Sequence, residues 1–175
     1  MKKSTVFVIV LLLLALPAYS KEKQDYDQSK WTIIAEGATY RVSEVNSWGW
    51  GGGLKLMYGL SSTFGIHVGA IGIPTTSGGY SFRGIALDGG IWYRLPSLSP
   101  WLNFEAGFNY LFGDDSDGSY WRVFGAHAGA NATLWLGKYI GLCGRAVFRF
   151  WFKKDPYAGT NATSPSFSTG LAFRF

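Results

Sequence analysis

The chain has 175 residues and a formal net charge of +5, with 15% charged residues, 18% aromatic residues and 24 glycines. Ordinary globular domains carry roughly 25% charged residues, so the composition argues against a soluble surface of the usual kind. The modest positive charge comes without a basic tract and gives no reason to expect a nucleic-acid partner. A single cysteine, Cys143, excludes an intramolecular disulfide, and we expect it to be a small apolar wall residue.

The N-terminus has the pattern of a secretory signal. The basic start MKK precedes an apolar run and the small residues Ala18 and Ser20. The run from Val6 to Leu16 is shorter than the roughly 20 apolar residues of a membrane-spanning helix. We therefore predict a cleaved signal peptide at residues 1–20, a polar periplasmic lead-in at 21–30 and one domain at 31–175.

From Trp31 onward the apolar residues recur with a period of two, and turn residues interrupt them at regular intervals. Most segments are long enough to cross a bilayer as tilted strands, and strands are the alternative to helices in a membrane. The number of segments is even, as a closed bacterial barrel requires. Together these features predict an all-β fold, an up-and-down antiparallel transmembrane β-barrel of about eight strands. The predicted strands are 31–42, 48–60, 63–73, 80–95, 100–112, 119–136, 139–152 and 166–175.

The connections alternate between two kinds. The segments 60–63, 95–100 and 136–139 are tight, whereas 42–47, 73–80, 112–120 and 152–166 are longer and more polar. Short periplasmic turns and longer extracellular loops are the usual asymmetry of an outer-membrane barrel. The segment 114–118 is rich in Asp and Gly, but it lacks the twelve-residue pattern of a calcium hand. We expect a solvated turn there.

Alternation separates an oily face from a polar face. In the fifth strand Phe104 and Phe108 oppose Glu105, and in the seventh strand Phe148 opposes Arg149. The low charge, the two kinds of connection and the aromatics near strand ends favour an oily face turned outward to lipid. The alternative is a soluble lipocalin-like barrel with the oily face around a ligand. The predicted aromatic girdle comprises Trp31, Trp101, Tyr120, Trp121, Tyr139 and Trp151.

The chain ends on an alternating run, TGLAFRF, whose last residue is aromatic. Phe167, Leu171, Phe173 and Phe175 share one side of this strand and resemble the C-terminal signature of bacterial outer-membrane barrels. In that family the signature is recognised by the barrel assembly machinery. The whole mature chain is similar in architecture to the small eight-stranded class typified by OmpX and the OmpA transmembrane domain. The resemblance implies an integral bacterial outer-membrane protein.

An eight-stranded barrel has room inside only for its own side chains, so the inward charges must satisfy one another. Ideal registers place Lys55 opposite His67, Glu105 opposite His127, His127 near Arg149, Asn131 opposite Arg145, Asp88 beside His67 and Glu36 beside Lys55. Glu105, His127 and Arg149 are expected to form a contiguous unit. The predicted belt of lumen charges comprises Glu36, Lys55, His67, Asp88, Glu105, His127, Arg145, Arg149 and Arg174.

These features favour a structural or surface-interaction role without enzymatic activity, cofactor or metal. One alternative is a narrow passive channel for small solutes. Another is a lipid-modifying barrel enzyme, but Gly129 stands where lipid A deacylases of the PagL type carry a serine two residues after histidine, and neither histidine has the rim position of PagP-type acyltransferases. The expected partners are outer-membrane lipids, lipopolysaccharide and, during insertion, the assembly machinery. We expect a monomer.

Overall fold

Eight long strands make up the fold in a computed structural model that describes residues 30–42, 47–77, 80–95, 101–116, 118, 120–154 and 161–175. The predicted signal peptide and nearly all of the lead-in lie outside these residues. No helix in the described part of the chain is long and apolar enough to cross a membrane. The strands are β1 (Trp31–Val42), β2 (Ser47–Gly59), β3 (Phe64–Ser77), β4 (Tyr80–Arg94), β5 (Leu102–Asp115), β6 (Tyr120–Trp135), β7 (Ile140–Lys154) and β8 (Asn161–Arg174).

The strands form one closed antiparallel sheet in which each pairs with its neighbours in sequence. Closure is made between β1 and β8, whose ladder runs from Thr32–Arg174 to Tyr40–Ser166. The backbone N–H of Phe175 extends it by donating to the Trp31 carbonyl oxygen at 3.1 Å. A closed sheet has no free edge along its length, so the predicted eight-stranded barrel is confirmed.

The barrel has two distinct ends. We call the end with residues 60–63, 95–101 and 136–139 the turn end, and the end with residues 43–46, 78–79, 116–119 and 155–160 the loop end. The tight turns predicted at 60–63 and 136–139 are in place, whereas nearly all of the one predicted at 95–100 lies outside the described residues. Strands β3, β5 and β7 run further toward the loop end than predicted, and β8 begins earlier.

Two prolines explain why β3 and β8 were predicted too short. Pro74 lies in β3 beyond the last pair with β2, Gly53–Ile71, and Pro165 lies in β8 beyond the last pair with β1, Tyr40–Ser166. Beyond those ends the ladder with the other neighbour continues, at Pro74–Arg83 and Pro165–Phe148, so each proline lies past the end of one ladder, as at the edge of a sheet. A proline lacks the backbone N–H that a second ladder would use, and it is tolerated at such an edge.

Four predicted cross-strand pairs are wrong, because each partner lies two residues along its strand from the predicted position. Lys55 pairs with Gly69, Glu36 with Gly53, Asp88 with Gly69 and Glu105 with Gly129. Counting from ideal turns does not reproduce the observed registers. After β2, for example, the N–H groups of Leu60 and Ser61 both donate to the Phe64 carbonyl, and Gly59–Gly65 is the pair next to the turn. The shift is two residues, so every side chain keeps its face.

The pairs around β6 and β7 are as predicted: His127 pairs with Arg149, and Asn131 pairs with Arg145. The oily face is the outer surface of the barrel. Val68, Phe108 and Phe124 have 57%, 72% and 67% of their surface exposed, whereas the charged residues on the opposite face of the same strands are buried. The arrangement is the reverse of a lipocalin-like barrel, which encloses its apolar side chains.

Candidate functional site in the barrel lumen

The inward-facing side chains form three layers across the barrel. A loop-side apolar layer contains Ala38, Ile71, Ile73, Ala86, Val123 and Trp151. A turn-side apolar layer contains Ile34, Met57, Trp92, Cys143 and Ala172. Between them lies a polar layer with eight of the nine predicted lumen charges, which are Glu36, Lys55, His67, Asp88, Glu105, His127, Arg145 and Arg149.

Formal charge is balanced within the polar layer. Its three carboxylates, on Glu36, Asp88 and Glu105, are matched by Lys55 and two arginines, and all of these residues are at most 7% exposed. Buried charges are costly unless they are paired and hydrogen-bonded, so equal numbers of acids and bases are a condition for closing the lumen. The ninth predicted charge, Arg174, is only half-buried and stacks its guanidinium 3.9 Å from the ring of Trp135. It belongs to the turn end and not to the belt.

Arg145 is the centre of the polar layer because it contacts all three carboxylates. Its Nη1 lies 3.2 Å from Glu36 Oε1, its Nη2 2.9 Å from Asp88 Oδ2 and its Nε 2.6 Å from Glu105 Oε1. Strands β1, β4 and β5 are thereby tied to β7. The planar guanidinium presents several donors in fixed directions, which a lysine ammonium cannot reproduce. Asn131 lies opposite Arg145 in the ladder, as predicted, but the ion pairs of the Arg145 side chain are with the three carboxylates.

Glu105 is the second junction. It accepts from Lys55 Nζ in a buried ion pair, from Arg145, and from Asn131 Nδ2 at 3.0 Å. Asn103 continues the chain of bonds by donating to Asn131 Oδ1 at 3.0 Å. Glu105 therefore uses both oxygens, and three strands other than its own converge on it.

The predicted unit of Glu105, His127 and Arg149 is wrong about the acid, because Arg149 pairs with Asp88 and not with Glu105. Arg149 Nη2 lies 3.3 Å from Asp88 Oδ2, and its Nη1 donates to Ser166 Oγ. The cause is the register shift between β5 and β6, which places Gly107 and not Glu105 opposite His127.

Two serines of β8 complete the layer and were missed in the sequence. Ser166 contacts Arg149, and Ser168 Oγ donates to Glu36 Oε2 at 2.5 Å. Both residues are buried. Their alternation with Phe167 and Thr169 already indicated an inward position, but hydroxyl groups were not counted as partners of the charges.

The two histidines meet across the lumen above a pair of glycines. The residues His67, Gly90, Gly107 and His127 lie in one cross-strand row of β3, β4, β5 and β6. The histidine Nε2 atoms are 3.3 Å apart, and His127 Nδ1 lies 3.2 Å from Asn109 Oδ1. A hydrogen bond to Asn109 uses the Nδ1 proton of His127, which leaves its Nε2 to accept from His67. The glycines have no side chain to occupy the space beneath the rings.

His67, Glu105 and His127 offer three potential metal-ligand atoms within 4.8 Å of one another. The Glu105 oxygens already accept bonds from Lys55, Arg145 and Asn131. A divalent cation would also add two charges to a layer whose formal charges balance, between two layers of buried apolar residues. We therefore describe the cluster as part of the hydrogen-bonded network.

The glycine pair gives a stability prediction. A Cβ atom on Gly90 would lie 2.1 Å from the Ala106 carbonyl oxygen and 2.7 Å from Gly107 Cα, so Gly90→Ala must force β4 and β5 apart. We expect a loss of roughly 1 to 3 kcal/mol of unfolding free energy, measured by urea unfolding in phospholipid vesicles. The matched control is Gly144→Ala in β7, because a Cβ there meets nothing within 4 Å. Equal stability of the two variants would contradict the close approach of β4 and β5.

Only some residues of the predicted aromatic girdle are exposed on the outer surface. Trp31, Tyr120 and Tyr139 are exposed, and Trp101 is partly exposed. The side chain of Trp121 lies outside the described part of the chain. Trp151 is wrong as a girdle residue: it is 7% exposed and belongs to the loop-side apolar layer. It alternates in phase with Arg145 and Arg149, so its inward direction was present in the pattern.

The terminal positions of β8 face outward. Phe167, Leu171 and Phe175 have exposed side chains, and Phe173 is half-buried. Phe173 pairs with Ile33 and Ile140 on the neighbouring strands. The last strand is therefore embedded between β1 and β7 and contributes an oily stripe to the outer surface.

The chain has the fold of the small eight-stranded outer-membrane barrels. Neisserial surface protein A is 15% identical, with 83% of this chain and 96% of that chain covered and a TM-score of 0.58. A major outer membrane protein from Thermus thermophilus is 14% identical, with 83% and 98% covered and a TM-score of 0.58. Ail, the attachment invasion locus protein of Yersinia pestis, is 11% identical, with 83% and 96% covered and a TM-score of 0.53. No protein-family model and no curated sequence matches the chain.

Proposed function

We propose that the protein is an integral outer-membrane barrel with a closed lumen, whose role is structural or surface-interactive. The observation that carries the proposal is the inverted distribution of side chains, apolar outside and charged inside. In water such a surface would drive association, whereas in a bilayer it is the surface that lipid requires. The turn end then faces the periplasm and the loop end faces the cell exterior. Signal cleavage after residue 20 is part of this proposal.

The closed lumen argues against the passive channel. Both apolar layers must be crossed by any solute, and the ion pairs between them leave their side chains at most 4% exposed. Polar solutes would have to break charge-assisted bonds that have no aqueous substitute there. The interior supports a barrel that is filled for stability.

The same geometry argues against a lipid-modifying enzyme. His67 and His127 are 2% and 3% exposed and face each other in the middle of the lumen. A general acid or base must come within hydrogen-bond reach of its substrate, and lipid lies on the other side of the barrel wall. Their contacts with each other and with Asn109 support a structural role.

Expression in a Gram-negative host tests the location. We expect the mature protein in the outer-membrane fraction, resistant to carbonate extraction, and migrating faster on gels when it is left unboiled, since a closed sheet has no edge at which to melt. The control is the same preparation after boiling. Recovery as a soluble periplasmic species would contradict the proposal.

The outward stripe of β8 ending at Phe175 supports recognition of this strand by the assembly machinery, as the resemblance implies. That interaction stays a prediction. A surface role resembling attachment, the word in the name of the Yersinia protein, would rest on the loop end, most of whose loop residues lie outside the described part of the chain.

A further inference from the structure

An open groove of about 400 Å³ lies on the outer wall of the barrel at the loop end of β4, β5 and β6. Two adjacent cross-strand rows form it. The row nearer the loops is Arg83, Asp114 and Tyr120, and the next row is Ile85, Phe112 and Arg122. All six side chains are exposed on the outer face. The groove therefore combines two guanidinium groups with an apolar floor, on an outer wall whose described side chains are mainly apolar.

The two arginines of the groove are unusual because their side chains are on the outer face of the barrel. They lie on the outer face, in phase with the exposed Leu87 and Phe124, whereas Arg145 and Arg149 point into the lumen. Within the described part of the chain neither Arg83 nor Arg122 makes an ion pair. Arginine on the lipid face of a barrel is costly near the bilayer midplane and nearly neutral at the interface. Their height on the wall decides what they can contact.

Strand β4 gives that height. Its outward face runs from Arg83 to Tyr93, ten residues apart. At about 3.3 Å per residue and a tilt of about 40°, this distance spans about 25 Å along the membrane normal, the usual height of the apolar band. With the aromatic Tyr93 at the periplasmic interface, Arg83 stands at the outer interface. The groove is therefore at the level of the outer-leaflet headgroups, with apolar wall directly below it.

We propose that this groove binds a phosphate of the lipid A headgroup of lipopolysaccharide, its acyl chains lying along the wall below. The proposal rests on the proposed membrane orientation. Guanidinium groups bind phosphate oxygens by paired charge-assisted hydrogen bonds. Ile85 and Phe112 offer an apolar surface where the headgroup meets the chains. Two arginines against Asp114 give the groove a formal net charge of +1, which favours an anion.

Binding of purified lipid A to the folded barrel in detergent micelles tests the proposal, with native mass spectrometry as the readout. We expect diphosphorylated lipid A to bind roughly tenfold or more tightly than the same lipid without phosphates. The double variant Arg83→Gln/Arg122→Gln is expected to lose that difference. Asp114→Asn, which removes the carboxylate from the groove, is expected to tighten binding. The control is Lys138→Gln, an exposed cation at the turn end that should leave binding unchanged.

Two results would overturn the proposal. One is equal binding of diphosphorylated lipid A by the wild type and by the double arginine variant. The other is competition by inorganic phosphate at a concentration equal to that of the lipid, which would show a simple ion site. Unboiled gel mobility of the same samples separates this test from that of the proposed function. A folded, heat-modifiable barrel without lipid A selectivity contradicts the lipid site alone.

Discussion

Replacing Arg145 with methionine is expected to destabilise the barrel by about 3 to 5 kcal/mol. Arg145 is the only described residue that contacts Glu36, Asp88 and Glu105 together, and its removal leaves three buried carboxylates beside one another. Methionine preserves most of the volume, so the loss measures the charge and not a cavity. The measurement is urea unfolding in phospholipid vesicles, followed by tryptophan fluorescence.

The matched control for Arg145 is Arg122→Met, the same substitution at an exposed position on the outer wall. In vesicles without lipopolysaccharide this variant should unfold within about 0.5 kcal/mol of the wild type, as surface substitutions usually do. Similar losses for the two variants would mean that the network of Arg145 contributes nothing particular to stability.

Lys55 and Glu105 give the second large effect, in a double-mutant cycle. Glu105→Gln removes the carboxylate paired with Lys55 and is expected to cost about 3 kcal/mol or more, because it leaves a buried ammonium without a counterion. Lys55→Met leaves an excess carboxylate and should cost a similar amount. The double variant should cost less than the sum by about 1 to 3 kcal/mol, since it removes both charges of one contact.

Additive losses in this cycle would show that Lys55 and Glu105 do not interact, and would contradict the polar layer as described. A second cycle, between Glu105 and Arg149, is the control. These residues make no ion pair with each other in the structure, and Arg149 pairs with Asp88. We expect a coupling energy clearly smaller than that between Lys55 and Glu105.

The sequence was sufficient to predict the number of strands and the face of nearly every side chain. Alternation alone separated Phe104 from Glu105 and Phe148 from Arg149, and the structure places them outside and inside the barrel. A pleated strand leaves no other choice, because successive residues point to opposite faces. Trp151 was assigned to the wrong face because its aromatic character was weighed above the phase of its own strand.

Registers could not be predicted with the same success, because they depend on how each turn closes. The same two-residue slip that left Glu105 on the correct face moved it from His127 to Gly129. Side-chain reach then decides the partners: Arg145 extends to β1, β4 and β5 across the lumen, contacts that no pairing of adjacent strands contains. The apolar layers were missed for a similar reason, since their members are distant in sequence and only closure of the barrel brings them together.

The central claim is that an apolar wall faces lipid and encloses a dry, ion-paired lumen. Solid-state NMR of the unmodified protein in bilayers tests it directly, by comparing magnetisation transfer to side chains from lipid acyl protons and from water. We expect early transfer from lipid to Phe108 and Phe124, and no early transfer to Arg145 or Glu105 from either source. Early transfer from water to Arg145 would show a hydrated lumen, and early transfer from water to Phe108 and Phe124 would show that the oily face does not lie in the membrane.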